Sequence, residues 1–204
     1  MINATSNNTD YYWTNVTTKA LFENKRIVLF ACPAAYNRSC TESHAPEYQH
    51  FYDEIISNGI DDVYCISVND ALVMSQWFKS MNFPQESLES QQHQDRKIHH
   101  MFSKVKMLPD GTGHFTKMMG MLSTWDLNYG FGDRSWRYSA VINNCKIEQL
   151  FMEGNGILTP NANIPIIVSD AHTMLKYLKS VNADDIIPPL VINNDKETKD
   201  RATA

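Results

Sequence analysis

Short apolar runs alternate along this chain with stripes at helical spacing. Ile27-Val28-Leu29-Phe30-Ala31-Cys32 is continuously apolar, which suits a strand covered on both faces. Asp62 to Val68 predicts a second buried strand. Between them Tyr48, Phe51, Tyr52, Ile55 and Ile56 follow the i, i+3, i+4, i+7, i+8 rule of an amphipathic helix, and Asn58-Gly59 supplies its stop. Pro46 belongs in the first turns of that helix, where a missing N–H does least harm. Asn69-Asp70 opens another helix, with Val73, Met74, Trp77, Phe78 and Met81 on one side.

Further along, Lys104 to Leu108 predicts a strand, Asp110-Gly111-Thr112-Gly113 a turn and His114 to Met121 a short helix. Trp136 to Ile142 and Lys146 to Phe151 predict a hairpin around Asn143-Asn144-Cys145. Ser169-Asp170 caps a last helix with Ala171, Met174, Leu175, Leu178 and Val181 on its apolar face. Near the start, Trp13 to Thr17 predicts a short edge strand and Thr18 to Glu23 a helical turn. The order β-α-β-α-β-α-β-β-α implies parallel pairing first and an antiparallel hairpin last. This is an α/β fold: a central mixed sheet flanked by helices.

Polar segments bound this domain, which runs over 11–182. Residues 1–10 read as a flexible polar arm, 82–100 as a Gln-rich solvated insertion, and 183–204 as a disordered tail. A length of 204 residues suits one domain with a real core. The net charge of −5, from 18 basic and 23 acidic residues, offers no surface for nucleic acid or anionic membrane. No apolar run approaches the roughly 18–20 residues of a spanning helix. Met1 to Asn8 lacks an apolar signal core, so a soluble, cytoplasmic protein is expected.

The candidate chemistry lies just after the first strand. Pro33-Ala34-Ala35-Tyr36-Asn37-Arg38-Ser39-Cys40 turns the chain into a helix and sets a thiol in its first turn. Unpaired N–H groups and the positive end of the dipole favour the thiolate there, and the thiolate is the reactive form. A thiol at a strand-to-helix turn is the thioredoxin-like arrangement. The other cysteines read differently: Cys32 as buried filler, Cys65 as core, and Cys145, in the hairpin turn, as a candidate resolving thiol. No C-x-x-C or zinc spacing occurs, and His93, His99 and His100 lack partners at ligand spacing. Neither a metal nor a cofactor is expected.

From about Trp13 to Lys179 the chain resembles the type-5 peroxiredoxins, above all the bacterial hybrid type, here without its glutaredoxin domain. The resemblance rests on Ile27 to Phe30 with Pro33; Cys40 followed by Ser43-His44-Ala45-Pro46; Ile66 to Asp70; Pro109-Asp110-Gly111 with Phe115-Thr116-Lys117; Gly130 to Ser139; and Val168 to Ala171 with Thr173 to Leu178. It implies that Cys40 is a peroxidatic cysteine that attacks peroxide and becomes a sulfenic acid. It implies that Arg137 stabilises the thiolate, that Pro33 shapes the pocket, and that Ser39, Arg38 and His44 line it. His44 is expected to stay neutral and to orient the loop. The family pattern is Pro-x-x-x-Thr-x-x-Cys, usually with a second proline after the threonine. Asn37 and Arg38 stand at those two positions, and Arg38 is expected to add positive charge near the thiol.

The implied function is a thiol-dependent peroxidase acting on hydrogen peroxide and small alkyl hydroperoxides. Glutathione, a glutaredoxin or thioredoxin would be the external reductant, and the subunit would form a homodimer through its late aromatic surface. The alternative is a redox-sensing or binding protein of the same fold with little peroxidase activity.

Overall fold

The computed structural model describes residues 2–3, 12–13, 15–81, 104–125, 130–156 and 165–181. The 82–100 insertion and the 183–204 tail lie outside the described residues, as do His93, His99 and His100. Two residues of the expected arm do form structure: β1 (Ile2–Asn3) pairs antiparallel with β2 (Tyr12–Trp13). The predicted edge strand therefore stops at Trp13. Thr17 instead caps α1 (Thr18–Phe22), its hydroxyl accepting from the Ala20 N–H at 3.1 Å.

The centre is a five-stranded mixed sheet. Its strands are β3 (Arg26–Ala31), β4 (Asp62–Ser67), β5 (Lys106–Pro109), β8 (Tyr138–Asn143) and β9 (Lys146–Met152), in the order β5-β4-β3-β8-β9. β3 is parallel to β4, and β4 to β5; β8 and β9 run antiparallel. β3 is the middle strand, and this explains its unbroken apolar run. Val28 and Phe30 join one core, with α3 (Tyr52–Ser57), α4 (Ala71–Ser80) and α6 (Ala171–Ser180). Ile27, Leu29 and Ala31 join another, with Phe22, Trp125, Trp136 and Tyr138.

The expected helix after Cys40 is broken into pieces. Cys40–His44 is a π-helical turn in which the Ala45 N–H reaches back five residues to the Cys40 carbonyl. α2 (Ala45–His50) follows with Pro46 in its first turn, and Phe51 breaks the path before α3. Proline has no N–H to continue the ladder, so the wide turn sits directly before it.

A small antiparallel pair, β6 (Leu122–Thr124) with β7 (Asp133–Ser135), has no counterpart in the sequence reading. It follows α5 (His114–Met118), which Gly113 starts with φ +66. The predicted hairpin turn is present: Asn144 and Cys145 both have positive φ, 47° and 65°, as a tight two-residue turn requires. Asp70 and Asp170 cap α4 and α6 as expected, accepting from Val73 and Thr173 N–H.

Candidate active site

The site forms where β3 and β8 end side by side, with Ala31 opposite Tyr138. Cys32 extends the β3 ladder by one bond, its N–H donating to the Ile66 carbonyl at 2.9 Å. Pro33 is buried, and the chain then turns away from the sheet. Tyr36 takes a left-handed φ of 61°, a strained choice for a residue with a side chain. Asn69 holds the turn: its Oδ1 accepts from the Ala35 N–H at 2.9 Å and from the Ser67 hydroxyl at 2.9 Å. Helical backbone begins at Arg38, so Cys40 lies in the first turn as predicted. The Asn37 carbonyl closes that turn by accepting from the Thr41 N–H and hydroxyl, at 2.9 and 2.8 Å.

Arg137 reaches the same point from the other side of the sheet end. It sits in the two-residue link between β7 and β8 and is 0% exposed. Its Nη2 donates to the Cys40 sulfur at 3.5 Å and to the Ser39 hydroxyl at 2.7 Å. Its Nη1 donates to His44 Nδ1 at 3.1 Å. Among the described residues it forms no salt bridge, and its Nε is buried without a hydrogen-bond partner. A buried guanidinium whose partners are all neutral is costly. Of those partners, Cys40 is the acid whose ionisation would cancel the charge.

His44 fixes the cation. Its Nε2 donates to the Ser169 carbonyl at 2.9 Å, which leaves Nδ1 as the acceptor for Arg137. Burial first, and the Arg137 charge second, lower the His44 pKa to about 3. The ring is therefore neutral, as expected. Tyr48 donates to the same Ser169 carbonyl. Ser169 is held in turn by Glu153, whose Oε1 accepts from the N–H groups of Ile167, Val168 and Ser169 and from the Ser169 hydroxyl, at 2.7–2.9 Å. A glutamate at a strand end reads as solvated in sequence, so its role went unread. The one available signal is its position after the apolar strand β9.

Opposing influences act on the Cys40 thiol. Burial comes first and pushes it well above the ordinary thiol range, and the Cys32 sulfur adds to the rise; the Arg137 guanidinium and a backbone hydrogen bond from Ala34 pull it only part of the way back. At 3.5 Å the attraction between a thiolate and the guanidinium is on the order of 4–5 kcal/mol at an effective dielectric of about 20. Ionising Cys40 neutralises a charge already present, so the burial that penalises a lone thiolate penalises the unpaired arginine as well.

Two expected pocket residues are placed differently. The Arg38 guanidinium points to solvent, 88% exposed, and pairs with Glu42 four residues on at 2.8 Å. It adds no charge at the sulfur, because its helical position faces outward. Asn37 does not touch the thiol either; its Oδ1 accepts from the Ser39 hydroxyl at 2.8 Å, one link from Arg137. Cys145 is exposed at the other end of the sheet, next to Asn144, whose N–H bonds the Lys25 carbonyl. The full length of β3, roughly 20 Å, separates it from Cys40, so an internal disulfide between the two is out of reach.

A family model described as Redoxin matches residues 3–163. The chain belongs to the redoxin family. Within it, the chain is 40% identical over 181 residues to a peroxiredoxin of Synechocystis, covering 88% of this chain and 84% of that protein. It is 38% identical over 166 residues to a hybrid peroxiredoxin of Haemophilus influenzae, covering 81% of this chain and 58% of the hybrid. The reduced Prx3 of Vibrio vulnificus, solved in complex with H2O2, superposes with a TM-score of 0.61 at 31% identity, over 79% of this peroxiredoxin and 83% of that chain. The thioredoxin-like fold read from the sequence is thus the fold of this peroxiredoxin.

Proposed function

We propose that this peroxiredoxin is a thiol-dependent peroxidase for hydrogen peroxide and small alkyl hydroperoxides, with Cys40 as its nucleophile. The observation that carries the reading is the contact between the Cys40 sulfur and Arg137, a buried cation with no carboxylate partner among the described residues. The thiolate attacks one peroxide oxygen. The S–O bond forms as the O–O bond breaks, and the leaving oxygen takes up a proton and departs as water or alcohol. Cys40 is left as a sulfenic acid. Arg137 stabilises the thiolate and the charge that develops on the separating oxygens.

The site supplies a hydroxyl despite the departure at Asn37. Ser39 Oγ accepts from Arg137 and donates to Asn37, which leaves one lone pair free for a peroxide O–H. Ser39 also lines a cleft of about 570 Å³, with Ser43, Glu47, Ile166, Asp170 and His172. The reading of a site without peroxidase activity draws no support from this arrangement. An external thiol, supplied by glutathione, a glutaredoxin or thioredoxin, closes the cycle. We read the protein as a cytoplasmic homodimer, on its sequence and its family resemblance. No helix among the described residues is long and apolar enough to cross a membrane.

The test is stopped-flow oxidation of the reduced protein by one equivalent of hydrogen peroxide. Rapid oxidation that Cys40→Ser abolishes supports the assignment. Slow oxidation that the serine change leaves unaltered overturns it. Coupled assays with each reductant then name the thiol donor, and light scattering gives the subunit count.

A further inference from the structure

Glu153 is a buried acid to which the peroxide chemistry gives no part. It is 1% exposed and starts the short turn Glu153–Gly156 that follows β9. A carboxyl group so deep needs donors to hold it. Its Oε1 collects four: the N–H groups of Ile167, Val168 and Ser169 at 2.8–2.9 Å, and the Ser169 hydroxyl at 2.7 Å. Its Oε2 is buried with no hydrogen-bond partner among the described residues. One oxygen therefore gathers one stretch of chain, the loop that leads into α6.

We infer that Glu153 is a positioning residue, which aims the Arg137 guanidinium at the Cys40 sulfur through Ser169 and His44. The inference rests on the roles proposed above for Cys40 and Arg137. The path is continuous. The Ser169 carbonyl accepts from His44 Nε2 at 2.9 Å, and His44 Nδ1 accepts from Arg137 Nη1 at 3.1 Å. Arg137 Nη2 stands 3.5 Å from the Cys40 sulfur. Glu153 also holds the other end of the arginine. Its N–H donates to the Arg137 carbonyl at 3.2 Å, and its own carbonyl accepts from the Trp136 indole N–H at 2.9 Å. One residue thus fixes the backbone that carries Arg137 and the ring against which the guanidinium rests.

The need for such a residue follows from the local backbone. His44 can direct Arg137 only while its own ring is held, and the Ser169 carbonyl holds it. Ile167 to Asp170 are bends outside any helix or strand, so no ladder keeps that carbonyl in place. The three N–H bonds to Glu153 supply what a ladder would. Tyr48 touches the same carbonyl at 2.9 Å but leaves the N–H groups of the loop to Glu153. A misplacement of about 1 Å, passed on to a reacting centre, costs roughly 10²-fold in rate.

The experiment titrates the Cys40 thiolate by ultraviolet absorbance in the reduced full-length protein, subtracting the matching Cys40→Ser signal. It compares Glu153→Gln, Glu153→Asp and Glu153→Leu, and repeats the aspartate change on Arg137→Gln. Glutamine keeps an acceptor oxygen at full reach, so Cys40 should titrate as in wild type even where urea unfolding shows lost stability. Aspartate draws the oxygen back by one methylene, and leucine removes it. Both should move the titration to higher pH and slow oxidation by hydrogen peroxide, by about 10-fold and about 10²-fold. On Arg137→Gln the aspartate change should move the titration no further, because the two residues act as one unit. The aspartate pair decides the matter if leucine does not fold. A folded aspartate variant with the wild-type titration would overturn the inference, since mere support of the fold lowers the unfolding midpoint and leaves the sulfur alone. A full shift that persists on Arg137→Gln, or a glutamine variant displaced as far as leucine, overturns it too. Wild-type Cys40 that hydrogen peroxide leaves unoxidised sinks the peroxidase reading, while the titrations still report on positioning.

Discussion

The two ends of the central sheet each bury an arginine, and the two are treated oppositely. At one end Arg26 meets Glu148 through Nε at 2.9 Å and Nη2 at 2.5 Å, with Tyr177 and Asn143 also donating to that carboxylate. Burial pushes Glu148 up, but Arg26 pulls it below the usual carboxylate range. At the other end Arg137 is more deeply buried and, among the described residues, meets a neutral imidazole, a hydroxyl and a thiol. The charge of Arg26 is already answered, so it holds β3 to β9. The charge of Arg137 has no such answer among the described residues, and under the proposed function it serves the Cys40 thiolate and then the transition state. Burial of an arginine is common to both ends; what sets the candidate site apart is that no carboxylate among the described residues answers its cation.

Substitutions should separate these roles in a definite order of size. Cys40→Ser removes the nucleophile, and peroxide reduction in a coupled assay should fall to background. Arg137→Gln should lower the peroxide rate roughly 10²–10³-fold, as loss of a main charge stabiliser does. Its unfolding midpoint should not fall, because an unpaired buried charge is removed. Arg26→Gln should do the reverse: the rate stays near wild type, while urea unfolding loses roughly 3–5 kcal/mol from a broken buried pair.

Smaller effects probe what surrounds the guanidinium. Ser39→Ala should cost about 10-fold in rate, the worth of one hydrogen bond to a charged group. Asn37→Ala should cost less, since it acts only through Ser39. His44 gives the most specific effect, one on stability against pH rather than on rate. Its folded pKa, about 3, lies below the unfolded value near 6.5. Between those values the unfolded chain binds the proton and the folded one does not. Stability should therefore fall as pH drops from 6.5, by up to about 1.4 kcal/mol per unit. Denaturation midpoints between pH 4.5 and 6.5 should flatten in His44→Gln.

The frame of this molecule was legible in sequence because its strongest constraints are local or periodic. β3 is covered on both faces and reads as one apolar run; Asp70 and Asp170 are side-chain caps; Asn144-Cys145 is a two-residue turn. Cys40 and Arg137 were singled out through motif and resemblance, and the fold brings them into contact. What was missed depends on direction or distance. Arg38 could have turned inward or outward, and a glutamate four residues away captured it. Asn37 and Ser39 are two residues apart, yet only coordinates show that the hydroxyl faces Arg137. Glu153 gains its meaning from partners far along the chain. β6 and β7 are three-residue strands, too short to carry a period.

The central claim is that Arg137 is a cation held for the Cys40 sulfur. Ultraviolet thiolate titration of the reduced protein, with the Cys40→Ser signal subtracted, reads that sulfur alone. The account predicts that Arg137→Gln moves the Cys40 titration to markedly higher pH and carries the peroxide rate profile with it. A titration at the same pH in wild type and Arg137→Gln would contradict it.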